Sequence, residues 1–280
     1  MKQLSIGFSP CPNDTYIFCA LVSGRIPFAG WGLKPALLED VETLNEWAMQ
    51  GRLDITKLSF HALGHVLNEY VLLHSGAALG RGCGPLLVAG RKVDPDRFSK
   101  MTVAIPGKYT TAAMLLELYA PAWKNIVILR FDEIMPAIET GKVDCGVIIH
   151  ESRFTYKGRG LVLLVDLGAW WEKISGHPIP LGGIAARRSL GRDLIGKIDR
   201  ALKASILWAH ANPDLCRPFV KEFAQEMDDA VIREHIGLYV NAFSESIGEE
   251  GLAAIKFFLQ KGCQAGMFTD PCRQSLTMTY

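Results

Sequence analysis

The chain has 280 residues, 49% of them hydrophobic, which is enough for a sizeable core in one or two domains. Its 30 basic and 29 acidic residues leave a formal net charge of +1, a balance that calls for neither a nucleic acid nor an anionic membrane as partner. Seven cysteines, an odd number with no C-x-x-C pair, argue against a disulfide framework and against a thiolate zinc site.

Gln3–Phe8 reads as a strand at the outset. No basic n-region, apolar h-region or cleavage site precedes it, and no apolar run approaches the ~18 residues of a membrane helix, so the cytoplasm is the expected location. Beyond that strand, short apolar runs alternate with helix-period segments, which predicts an α/β protein with mainly parallel strands. The loop Ser9-Pro10-Cys11-Pro12-Asn13-Asp14 leads into a helix over 15–23, with Asn13 or Asp14 available as cap and Gly24 as stop. A strand over 33–38, a helix from Asp40 to Gly51 and a strand over Leu53–Leu58 follow, and Ser59 opens the next helix.

The same order then returns. Met101–Ile105 is a strand, Pro106–Tyr109 a turn, and Thr110 and Thr111 open a helix to about Tyr119. A strand over 126–131, a helix ending at Gly141 and a strand over Val143–Ile149 complete the second series. Gly51-Arg52-Leu53-Asp54 and Gly141-Lys142-Val143-Asp144 stand at matching places, each with glycine at a helix C-cap ahead of a strand. The repeat predicts two related domains. Residues 1–98 with the helical segment 189–280 would form the larger and 99–188 the smaller. Crossings near Lys100 and near the strand Gly182–Arg188 would make a hinge over an interdomain cleft.

Ligands of parallel α/β sheets bind beyond the carboxyl ends of strands. Four such ends are legible: Ser9–Asp14, Lys57–Ser59, Gly107–Thr111 and His150–Ser152. Ser59, Thr110 and Thr111 fall at helix starts, where unpaired N–H groups suit a carboxylate or phosphate, although each is also an ordinary N-cap residue. His150 ends the run Val147-Ile148-Ile149; an imidazole there suits a general base near neutral pH, and a hydrogen-bonded structural histidine is the plainer alternative. His61 and His65 have metal-binding spacing, but Ala62 replaces the glutamate of H-E-x-x-H and no third ligand appears, so no metal is expected. Gly80-Arg81-Gly82-Cys83-Gly84 opens no helix and reads as a turn or hinge. Trp170-Trp171 reads as core, with one ring able to line the cleft.

These residues resemble a known family. Leu4-Ser5-Ile6-Gly7-Phe8-Ser9-Pro10-Cys11-Pro12-Asn13-Asp14-Thr15 is similar to the opening of the 1,4-dihydroxy-6-naphthoate synthases, which act in the futalosine route to menaquinone. The similarity continues at Lys57-Leu58-Ser59, Pro106–Ala112, Val147–Glu151 and Pro180–Ile184, in order over nearly two thirds of the chain. The resemblance implies the two-lobed fold of periplasmic solute-binding proteins (type II). It also implies a lyase converting cyclic dehypoxanthinyl futalosine to 1,4-dihydroxy-6-naphthoate without metal or redox cofactor. By matching position, His150 would be the proton acceptor, and Lys57, Leu58, Ser59, Thr110 and Thr111 would bind the small anionic substrate. Pro10, Pro12, Ile105 and a tryptophan are expected to form an apolar slot for its ring. A transporter's solute-binding protein and the chorismate dehydratase of the same pathway are the alternatives, disfavoured by the missing leader and by the Ser9–Asp14 block respectively.

Overall fold

The computed structural model describes residues 2–28, 30–224, 228–269 and 275–278. Its apolar runs assemble into two main sheets. In the first, the strands run in the order Leu37–Leu38, Ile6–Phe8, Ile55–Ser59, Ile179–Arg187 and Tyr70–Leu72, and Ala78–Gly80 also pairs with Ile179–Arg187. The second has the order Ile126–Ile128, Val103–Ile105, Cys145–Ile148, Leu86–Ala89 and Val162–Asp166. A separate parallel pair joins Lys2–Leu4 to Trp31–Leu33, so the opening run is two strands rather than one.

Each sheet combines parallel strands with antiparallel ones, where mainly parallel strands were expected. The antiparallel pairs all involve Leu86–Ala89 or Ile179–Arg187. Leu86–Ala89 follows the strands of the first sheet in the chain but lies in the second, and Ile179–Arg187 belongs to the first. The chain therefore passes between sheets within 81–85 and returns within 167–178, earlier both times than the repeat suggested. An apolar run such as Leu86-Leu87-Val88-Ala89 reads the same for either sheet, so only pairing decides its place. At the first crossing Gly84 lies so close to Gly168 that a Cβ on Gly84 would stand 2.3 Å from the Gly168 Cα.

Helix boundaries follow local chemistry. Asp40 caps the helix Val41–Met49 by accepting from Glu42 and Thr43 N–H groups, and Gly51 ends that segment at φ 61°. Thr110 caps Thr111–Tyr119 by accepting from the Ala113 N–H. The helix Pro12–Val22 differs from expectation. Cys11 is its N-cap and Pro12 its first residue, because a proline φ is already helical. Asn13 and Asp14 then fall inside the first turn, where their side chains serve the site.

Three apolar clusters fill the interior. One packs the long helix Arg192–Ala211 onto Pro12–Val22 and the first sheet. There Tyr16 donates to the Ala209 carbonyl at 2.8 Å, and the Ser205 hydroxyl donates to the Ile17 carbonyl at 2.7 Å. A smaller cluster backs the second sheet. The largest runs from Leu58 and Phe60 through Val103 and Val147 to Phe258, joining the two sheets and the helix Gly248–Gln264. Trp171 lies within it against Phe257 and Phe258, and Trp170 packs on Tyr119.

Candidate active site

Parallel pairing sets Ile6–Phe8 beside Ile55–Ser59, and Val103–Ile105 beside Cys145–Ile148. Their carboxyl ends open on one pocket with an empty volume of about 640 Å³. Lys57, Ser59, Thr110, Thr111 and His150 all line it. Leu58 does not. Alternation along its strand turns that side chain into the core, where it is fully buried. The apolar surface of the pocket comes from Val41, Ala78, Pro85, Ile149, Leu181 and Tyr239. Pro10, Pro12, Ile105 and both tryptophans lie elsewhere.

The wall built by the first sheet is polar and tightly bonded. The Lys57 ammonium donates to Asp14 Oδ1 at 2.6 Å, with the two side chains only 7% and 1% exposed. The other Asp14 oxygen accepts from the Ser9 hydroxyl at 2.7 Å and the Ser9 N–H at 3.3 Å, and Asn13 Nδ2 donates to Oδ1 at 2.7 Å. Four donors thus satisfy the buried carboxylate, as a charge in this setting requires. Gly182 gives Lys57 its room, because a Cβ there would meet the Leu58 carbonyl oxygen at 2.7 Å and Lys57 Cε at 3.3 Å.

Ser59 is the N-cap of the helix Phe60–Val66, yet its hydroxyl makes no capping bond. It accepts from Asn45 Nδ2 at 3.2 Å, and the Asn45 Oδ1 accepts from the Ser59 N–H at 2.9 Å. Asn45 also donates to Glu42, whose carboxylate accepts from the Tyr109 N–H at 2.9 Å. That bond links the helix Val41–Met49 to the turn after Val103–Ile105. Burial raises the Glu42 pKa, and the Tyr109 N–H opposes the shift.

On the other wall, polar groups are committed to backbone. The Thr110 hydroxyl donates to the Gly107 carbonyl at 2.9 Å while it caps its helix. The Thr111 hydroxyl donates to the Leu181 carbonyl at 2.6 Å. His150 follows Ile149 at φ 56°, the one non-glycine residue with positive φ among those described. Phe131 stands edge-on to its ring, with centroids 5.1 Å apart. Burial lowers the His150 pKa to about 4; Asp14 and Asp40 pull it up and Lys57 pushes it down. The ring is therefore neutral at pH 7 and can accept a proton.

His61 and His65 sit outside the pocket, whereas Cys83 and Gly84 of the glycine-rich segment line it. His61 Nδ1 donates to the Thr110 carbonyl at 3.2 Å, and His61 and His65 pack with Tyr109 and Phe268. Asn45, Glu42 and Tyr239 carried no sequence signal for the site, whereas Asn13 and Asp14 read there as caps and as part of the strand end Ser9–Asp14.

A model of the family described as "Menaquinone biosynthesis" matches residues 4–264. The chain belongs to this menaquinone-biosynthesis family. Among its relatives, a 1,4-dihydroxy-6-naphthoate synthase from Thermus thermophilus is 51% identical over 255 residues, covering 91% of this chain and 92% of its own. A synthase of the same name from Streptomyces coelicolor is 46% identical over 272 residues, covering 94% of each. Family membership and these relatives identify an enzyme of menaquinone biosynthesis. The family fold is also seen in a solved protein of Archaeoglobus fulgidus, 30% identical with a TM-score of 0.89 over 95% of this chain and 98% of that one. The aliphatic sulphonate binding protein of Escherichia coli, 12% identical with a TM-score of 0.65 over 100% and 94%, shows that the fold is the periplasmic-binding-protein type. Among the described residues no helix is long and apolar enough to cross a membrane.

Proposed function

We propose that this chain is a 1,4-dihydroxy-6-naphthoate synthase, a cytoplasmic carbon–carbon lyase that acts on cyclic dehypoxanthinyl futalosine with His150 as proton acceptor. The observation that carries the reading is His150 itself, a neutral imidazole at a strand end, in one pocket with the Lys57–Asp14 pair. A general base has to be unprotonated before the reaction and close to charge that can offset the proton it gains. Asp14 supplies that offset. The product is a carboxylated aromatic, which needs an anion grip and an apolar slot. Lys57 and the Ser59 helix start fit the grip, and Val41, Pro85 and Leu181 fit the slot. In this reading His150 takes the proton whose loss starts ring aromatisation and release of the sugar-derived part. Enclosure between the two walls keeps water from the intermediate.

The test is to incubate purified, metal-free protein with cyclic dehypoxanthinyl futalosine and follow the naphthoate by absorbance and mass. Product formation establishes the reaction. Turnover of chorismate instead would assign the dehydratase step, and tight solute binding with no product would point to a binding protein.

A further inference from the structure

The C-terminal helices carry no motif, yet they bring one imidazole to the site. His235, on the helix Asp229–Tyr239, is fully buried. Its Nε2 lies 2.9 Å from Asn13 Oδ1. Every hydrogen bond in this corner has a forced direction. Asp14 pairs with Lys57 and is a carboxylate, so it can only accept. The Asn13 atom 2.7 Å from Asp14 must then be the amide nitrogen, and the amide oxygen is what faces His235. His235 therefore carries a proton on Nε2. Burial, together with His150 and Lys57 nearby, holds the pKa of His235 well below the usual histidine range, so the ring is neutral and its Nδ1 is bare. That Nδ1 hydrogen-bonds to no described residue and lies 3.9 Å from Glu151 Oε2.

Leaving a buried acceptor unsatisfied is costly, and an apolar ring of the same size would avoid it. The fold keeps a histidine here regardless, and among the described residues its ring hydrogen-bonds only to Asn13. We propose that His235 is a positioning residue of the active site: its Nε2–H anchors the Asn13 amide in place, and through it the Asp14 carboxylate and the Lys57 ammonium. Without that donor Asp14 still sets which way the amide points, but the buried amide oxygen is left unsatisfied and the amide loses one of its two anchors. An amide drawn off toward another donor loosens the hydrogen bond that Nδ2 gives Asp14, and with it the Lys57–Asp14 pair. His235 also stacks on His150, with centroids 6.3 Å apart and planes 13° from parallel. Nitrogen lone pairs lie in the ring planes, so stacked rings at that distance pass no proton, and the route of influence is Asn13.

The inference rests on the substrate reading above only where it makes Lys57 the anion grip. His235→Phe keeps the ring and removes the donor; His235→Gln keeps a donor and removes the ring. Loss of a hydrogen bond to a charged network raises KM for cyclic dehypoxanthinyl futalosine about tenfold or more in His235→Phe, with kcat within about threefold, because Lys57 grips ground and transition states alike. His235→Gln recovers most of that loss. The opposite pattern, Phe tolerated and Gln impaired, makes the ring mere packing and overturns the proposal. Should His235→Phe not fold, nitrogen NMR of histidine-labelled protein decides: a protonated Nε2 on His235 supports the proposal and a protonated Nδ1 overturns it. Wild-type protein that makes no naphthoate would sink the functional reading and leave this tautomer test standing.

Discussion

The two walls of the pocket descend from similar stretches of sequence and do different work. The wall of the first sheet is a bonded lattice, in which Asp14 takes four donors and Ser59 is held by Asn45 instead of capping its helix. On the wall of the second sheet, Thr110 and Thr111 spend their hydroxyls on backbone, which leaves His150 as the group proposed to react. Ser59 and Thr110 each follow a strand and stand at a helix start, yet one hydroxyl is bonded to Asn45 and the other closes a cap. A hydroxyl at a helix start is a ligand contact only when another group relieves it of capping. In the proposed function the first wall would hold the anion and the second would carry out proton transfer.

That division can be broken most severely at His150. His150→Ala should lower kcat by about 10²–10⁴-fold while substrate affinity stays within a few-fold, as turnover and equilibrium binding would show. A comparable loss of affinity would mean that the walls do not divide the work. Asp14→Asn acts on the opposite wall. It strands the buried Lys57 charge, so unfolding in urea should show a stability loss of about 3–5 kcal/mol.

Ser59→Ala should raise KM by about tenfold with a smaller change in kcat. Thr110→Ala is expected to appear mainly as a lost cap, about 0.5–2 kcal/mol of stability, with less effect on KM than Ser59→Ala. The pH dependence adds a sign. His150 must be neutral to accept a proton, and its folded pKa is about 4. kcat/KM should therefore stay flat from pH 8 to pH 5 and fall only below that, where an ordinary histidine would already cost activity at pH 6.5. His61, also near 4, and His235 are lowered as well. The unfolded chain takes up protons that the folded one refuses, so stability should decline as pH drops from 6.5 toward 4.

Much of this was legible in the residues because it depends on local chemistry. Asp40, Gly51, Ser59 and Thr110 mark helix ends by what their own side chains or backbone allow, and the structure keeps them there. Five of the six residues chosen for the site share one pocket because strand ends converge wherever parallel strands pair. Leu58 was carried along by its neighbours, and the two-residue period of a strand sets it apart. What stayed hidden depends on distant pairing. Nothing near Leu86 or Ile179 says which sheet each will join. His235 meets Asn13 across 222 residues and is recognisable only once both are in place.

The place of Ile179–Arg187 between Ile55–Ser59 and Tyr70–Leu72 also bears on how the chain is made. The strands of the second sheet all fall within residues 86–166, a contiguous stretch that leaves the ribosome as a unit. The first sheet, though it contains the early strand Ile6–Phe8, lacks a middle strand until residue 187 has emerged. Synthesis usually lets the N-terminal unit fold first. Here the connectivity allows the reverse order, in which the later sheet pairs its strands first and the first sheet is completed only when Ile179–Arg187 is inserted beside Ile55–Ser59 at the polar wall of the site.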